Sequence, residues 1–166
     1  EVERLQVVPE VDAYRFAKMA SATGIDGTTG TITVGTTDVK ALISAGEASM
    51  DDNEVPEEGR ILFISPKAKN GLKGNIERRI VNSEANVSYE VEYFDGMRLV
   101  TVPQGRFNTA VTINAPTVSN GAGGFTASGN AINFMIVHPS AVIPAMKHVL
   151  PRIFSPDENQ TADAWK

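Results

Sequence analysis

His138 and His148 stand ten residues apart in a chain that has no cysteine, and they form no H-x-x-x-H pair. Zinc needs several nitrogen or sulfur ligands converging at set spacings, so these two histidines give a zinc site little support. A histidine beside a proline at a strand end, as His138 is beside Pro139, reads instead as a structural hydrogen-bonding residue. Nucleophilic chemistry fares no better. No G-x-S-x-G occurs, and Ser65 and Ser140 each adjoin a proline in a plain turn context. The carboxylate pairs Asp51/Asp52 and Glu57/Glu58 lie in an acidic run with no apolar wall to raise a pKa for acid–base work. Asp51 and Asn53 are followed by Val55 where an EF-hand requires another oxygen ligand, which excludes that loop. The glycines of Gly121-Ala122-Gly123-Gly124 invite a phosphate-loop reading, but no Gly-Lys-Ser/Thr follows and no helix opens there. No catalytic, cofactor-binding or metal-ligating residue is therefore predicted, and the chain reads as something other than an enzyme.

The elements that would position such residues are easier to see. Ala131–Val137 is a nearly continuous apolar run, predicted as a strand covered on both faces or central in a sheet. Pro139 or Ser140 then opens a helical turn, with Val142, Ile143 and Met146 at helical spacing. Ile61–Ile64 is a second apolar strand, followed by a short helix over Pro66–Ile76 that Glu77–Val81 extends. Strand, turn and helix thus recur, but no G-x-G-x-x-G joins either strand to its helix, so a dinucleotide fold is not predicted. Val87, Tyr89, Val91 and Tyr93 alternate with polar residues, which predicts a half-buried strand. Asp95-Gly96 then turns the chain into a partner strand over Met97–Val102.

Upstream, Glu1–Val8 reads as a strand or extended lead-in. Pro9 suits the first turn of a helix over Val11–Ala22, with Ala13, Phe16, Ala17 and Ala20 on one face. Gly24–Thr36 reads as a Thr/Gly-rich surface loop with one short strand at Thr31–Val34. Thr37 or Asp38 caps the clearest helix, in which Val39, Leu42, Ile43 and Met50 keep helical spacing. Leu42 and Ile43 are expected to pack on the sheet formed by the two apolar strands. Arg106–Asn114 is another strand, and Ala115–Asn130 a flexible loop; this loop and Gly24–Gly35 are expected to be the most mobile internal segments.

Charge is segregated. Glu47–Glu58 is acidic, and Arg60–Arg79 holds six cations against Glu77 alone. One reading is two solvated faces. The other is a pair of complementary patches that meet on neighbouring copies of the chain, with Glu54, Glu57 and Glu58 facing Lys67, Lys69, Lys73, Arg78 and Arg79.

At 166 residues the chain is one domain by length, able to bury about 70% of its unfolded surface. Apolar content of 42% is ordinary for a globular protein, and a net charge of −5 argues against non-specific nucleic-acid binding as the main task. No apolar run is long enough to span a membrane, and no leader-like N-terminus is present. Glu1 is not a start methionine and the chain stops at Trp165-Lys166, so a fragment of a longer subunit is expected.

Four stretches taken in order resemble the tailed-bacteriophage major capsid proteins of the Hong Kong 97-like fold. VVPEVDAYRFAKMA (Val7–Ala20) is similar to the end of that family's long spine helix. Asp38–Leu72 resembles the helix, acidic loop, strand and helix that follow it. Phe94–Phe107 (FDGMRLVTVPQGRF) resembles the strand running toward the capsomer axis, and Ile132–Lys166 the last strand–turn segment. The resemblance implies an α+β fold, a mixed β-sheet flanked by helices, with residues 1–23 ending the spine helix and 24–166 mainly the axial domain. It implies a structural protein without enzymatic activity or cofactor, whose copies self-assemble into pentamers and hexamers of an icosahedral shell. The implied partners are copies of itself, scaffold and portal proteins, and packaged double-stranded DNA enclosed without sequence-specific binding; no membrane is implied. The implied location is the virion capsid of a phage or prophage, assembled in the bacterial host cytoplasm. The isolated chain, lacking that family's bridging arms, is expected to be monomeric or weakly associating. Two alternatives remain: an encapsulin-like nanocompartment shell protein, and a small-molecule-binding α/β domain.

Overall fold

Four residues, Ile61–Ile64, organise the molecule. They form β1, and the side chains of Leu62, Phe63 and Ile64 alternate between two separate apolar clusters. The computed structural model describes residues 7–82, 88–114 and 124–143, together with the backbone of 153–154 and 164–165. Leu62 and Ile64 face one cluster, with Leu99, Met97, Phe94, Phe134 and Ile136. Phe63 faces the other, with Val100 and Met135.

The strands in chain order are β1, β2 (Glu77–Asn82), β3 (Ser88–Phe94), β4 (Met97–Thr101), β5 (Asn108–Asn114), β6 (Gly124–Ala131) and β7 (Phe134–Val137). Five of them form one mixed sheet in the order β2-β3-β4-β1-β7. β1 runs parallel to β4 and antiparallel to β7. The helices α1 (Val8–Ala20), α2 (Val39–Asp52) and α3 (Pro66–Gly71) flank it. The fold is α+β with a mixed sheet and helices against it, as expected. A separate strand pair, β8 (Ile153–Phe154) with β9 (Ala164–Trp165), lies further along the chain.

One face of the sheet is covered by α2 and α3. Asp38 caps α2 by accepting a hydrogen bond from the Ala41 N–H at 3.1 Å, and Ser65 caps α3 through the Ala68 N–H. Val39 and Ile43 are buried, but Leu42 is 43% exposed, against expectation. Leu42 sits at the margin of the α2 stripe, whose centre runs Val39, Ile43, Gly46 and Met50. At Gly46 the helix comes close to β7: a Cβ there would stand 3.3 Å from Ile136 Cδ1. The opposite face is covered by α1 and the β5–β6 hairpin. Phe16 of α1 meets Phe63 and Phe107 edge-to-face, with ring centroids 5.2 and 5.0 Å away.

Several expectations change. β7 begins at Phe134, since Ala131 closes β6, and all four β7 residues are only half-buried because the strand lies at the sheet edge rather than its centre. Among the described residues a 3-10 turn, Pro139–Ala141, follows it in place of a helical turn; Ile143 is exposed and Met146 lies outside the described residues. α3 ends at Gly71, and Glu77–Asn82 is a strand rather than a helical extension, because pairing with β3 outweighs local preference. Residues 31–34 form no strand. Gly24–Thr36 is an irregular strap held by Ser49 Oγ donating to Asp26 at 2.6 Å, by Asn133 donating to the Gly30 carbonyl, and by buried Ile32. Residues 124–130 of the expected Ala115–Asn130 loop are β6; residues 115–123, like Glu1–Gln6 and His148, lie outside the described residues. Gly129 in β6 has φ +71, beside the register shift at Asn108–Ala110, and a Cβ there would fall 2.5 Å from Thr109 Oγ1.

Candidate functional site

Glu47 and Asp51 lie one turn apart on α2 and so project to the same side of the helix. Beyond Asn53 the chain reverses through Glu54, which holds a left-handed φ of 57°. It then returns to β1 through Gly59 and Arg60. Arg60 opens the basic run, read as either a solvated face or a patch for a neighbouring copy, yet it is buried. Its Nη2 donates to Asp51 Oδ1 at 2.6 Å and to the Val55 carbonyl at 2.5 Å, and its Nε donates to the Pro56 carbonyl at 2.9 Å. Arg60 therefore staples the acidic loop to the foot of β1, and its charge is consumed within the chain.

Around this staple lies a shallow cleft of about 300 Å³, lined by Glu47, Glu57, Glu58, Arg60, Met97 and the Asp95-Gly96 turn. Burial pushes the Glu47 carboxyl above its ordinary value. Asp95 adds to that push, Arg60 opposes it, and Asp51 and Glu57 add to it again. No group of three or more metal-ligating side chains among the described residues could hold a metal ion. Anions are repelled by the surrounding carboxylates. Glu54, Glu57 and Glu58 are all exposed, so this side of the molecule presents negative charge to solvent.

The basic residues divide differently from expectation. Lys69 of α3 pairs with Glu92 of β3. Arg78 lies 3.9 Å from both Glu90 and Glu92, and Arg79 pairs with Glu77 at 2.9 Å while lying over the Tyr93 ring. All three therefore have partners on the β2–β3 ribbon of their own chain. Lys67 and Lys73 are exposed and make no ion pair among the described residues. The ribbon itself projects, since β3 pairs with β4 only at Tyr93 and Phe94.

His138 acts as a local cap. Its Nε2 lies 3.1 Å from the Glu58 carbonyl, so Nε2 carries the proton and donates; Nδ1 then accepts from the Ser140 hydroxyl at 2.6 Å and the Ser140 N–H at 3.3 Å. The Ser140–His138 contact spans two residues, is exposed, and is shared with that backbone N–H, which suits turn closure rather than nucleophile activation. Ser65 is fully buried as the α3 cap. A second hollow of about 250 Å³ between α1 and the sheet has mainly apolar walls, with Asp12 and Arg106 paired at 3.2 Å.

Sequence reasoning missed Arg60, Glu92 and Asp95. Arg60 could have been noticed from its position, since it directly precedes an apolar strand, where a charge must find partners or reach water. No protein-family model matches the chain, and neither does a curated protein or a solved structure.

Proposed function

We propose that the chain is a structural shell subunit of the tailed-bacteriophage major capsid type, which self-assembles into pentamers and hexamers enclosing double-stranded DNA. The observation that carries this reading is the agreement between family-like strings and consecutive structural units. Val7–Ala20 coincides with α1, and Asp38–Leu72 with α2, β1 and α3. Phe94–Phe107 runs from the β3 turn through β4, and Ile132–Lys166 opens on β7. A further feature supports it. Glu54, Glu57 and Glu58 are exposed just before β1, while Lys67 and Lys73, exposed and without an ion pair among the described residues, lie after it, which suits head-to-tail contact between unlike faces of neighbouring copies.

The test is to express the complete gene that encodes this chain in bacteria and image the product by electron microscopy. Closed shells, or rings of five and six subunits, are expected. A product that stays dispersed as monomers across protein and salt concentrations overturns the reading. Shells that enclose protein rather than DNA in the native host would favour the nanocompartment alternative.

A further inference from the structure

α1 is apolar on two sides. Its inner side, Ala13, Phe16 and Ala17, is buried in the domain. Its outer side carries Val7, Val11 and Tyr14, which are 50%, 36% and 49% exposed. Successive helical residues turn by about 100°, so Val7, Val11, Tyr14 and Lys18 fall within an arc of about 60°. Their spacing of four, three and four residues is that of a heptad seam, with Val7 and Tyr14 at d positions and Val11 and Lys18 at a positions. Lys18 closes the seam with its ammonium over the Tyr14 ring at 5.5 Å.

The flanking charges choose the occupant. Glu10 falls at a g position and Arg15 at the following e position, and neither makes an ion pair among the described residues. In a parallel pair of identical helices each g residue faces the e residue five positions on in the partner, so Glu10 meets the second copy's Arg15 twice over. An antiparallel pair would set Glu10 against Glu10 and Arg15 against Arg15. A β-branched residue at a, as Val11 is, favours two strands. The geometry points to the outer face of α1 as a docking surface for a second copy of this chain, joined as a parallel two-fold helix pair through Val7, Val11 and Tyr14. This does not rest on the shell reading, which concerns head-to-tail contacts.

Because the chain has no cysteine, a Val7→Cys variant carries a single thiol. A parallel pair brings the two copies of residue 7 together, whereas an antiparallel pair holds them at opposite ends of the seam. Under oxidised glutathione, Val7→Cys is expected to form a covalent dimer at least tenfold faster than a Lys67→Cys control. Adding Glu10→Arg should slow the cross-link by about tenfold, and adding Arg15→Glu to that variant should restore it. Tyr14→Asp should also slow it. All these positions are outside the core, and circular dichroism checks that the fold is kept. Cross-linking no faster than the Lys67→Cys control overturns the proposal, as does a rate insensitive to Glu10→Arg. It is also overturned if Val7→Cys cross-links only after the residues beyond Ile143 are removed, since the chain's own C-terminal segment would then be the cover.

Discussion

Arg60 and Asp51 share a hydrogen bond of 2.6 Å but not an environment: the arginine side chain is 2% exposed and the carboxylate 59%. Water can replace Asp51 in solvating one edge of the guanidinium. Nothing comparable replaces the guanidinium for the Val55 and Pro56 carbonyls, which both accept from it.

Arg60→Met should therefore cost about 2–3 kcal/mol, because the loop carbonyls lose a charged donor. Asp51→Asn should cost about 1 kcal/mol or less, as expected for a partner in water. Urea denaturation of both variants checks this. Equal losses would mean that the ion pair, rather than the two carbonyls, holds the loop.

Leu62→Ala should be more damaging than Phe134→Ala. Leu62 is fully buried on an interior strand of the sheet, and truncation there should cost about 3–4 kcal/mol with its cavity. Phe134 lies on the edge strand and is half-buried, so about 2 kcal/mol is expected. The order of the two unfolding midpoints is the measurement.

Two helical glycines should respond with opposite sign. A Cβ at Gly71 would lie 2.6 Å from Val39 Cγ2, in the buried contact of α2 with α3. Gly71→Ala should destabilise by about 1–2 kcal/mol despite the better helix former, and Val39→Ala in the same chain should recover part of that loss. Gly46→Ala meets the far end of the Ile136 side chain at 3.3 Å and the Phe134 ring at an ordinary 3.9 Å, and should be neutral or stabilising by about 0.5 kcal/mol.

Glu47 should make the protein less stable as pH rises. Its carboxyl titrates above the ordinary value of 4.5 in the folded state, so between the unfolded and folded values the native chain holds more proton than the unfolded chain. Stability contributed by the protonated form is complete below 4.5 and is lost as pH rises through the folded value. Glu47→Gln should therefore raise the urea midpoint at pH 7 relative to the parent and leave it little changed at pH 4. The reverse order would show that Arg60 governs Glu47 more than burial does.

If exposed cations steer assembly, Lys67→Glu with Lys73→Glu should impair ring formation by the complete gene product without altering the unfolding midpoint. Lys69→Glu differs in kind: it sets two carboxylates together where Lys69 now pairs with Glu92, and should lower stability by about 1 kcal/mol or more. Electron microscopy and urea denaturation, run on the same variants, separate the two effects. Normal assembly by the double variant across salt concentrations would reduce these lysines to solvated charge.

Local chemistry made some of this fold legible. Alternation at Tyr89, Val91 and Tyr93 with the Asp95-Gly96 turn marked the β3–β4 hairpin, and those turn residues do hold φ values of 47° and 80°. Asp38 was a readable cap, and Ile61–Ile64 a readable strand. What stayed hidden depended on distant partners. Glu77–Asn82 carries residues compatible with a helix, and only six pairings with β3 make it a strand. β6 is Gly-, Ser- and Thr-rich and is fixed by β5. Arg60 belonged to a basic run by composition, and only the returning loop shows that its charge is spent inside. The candidate contact residues were readable as types, but not their division into cations already matched by Glu77, Glu90 and Glu92 and the two left over.

The position of β1 also bears on how the chain comes off the ribosome. Its two sheet neighbours are β4 and β7, and Ile64 pairs with Phe134, a contact that spans 70 residues. At about 5–20 residues per second, β7 would emerge roughly 4–14 s after β1. For that interval an Ile-Leu-Phe-Ile segment has one open backbone edge and no β7 to cover it, and pairings between residues so far apart in sequence form late. Nascent chains should therefore engage chaperones, and expression at lower temperature should raise the soluble yield more than any change made at the surface.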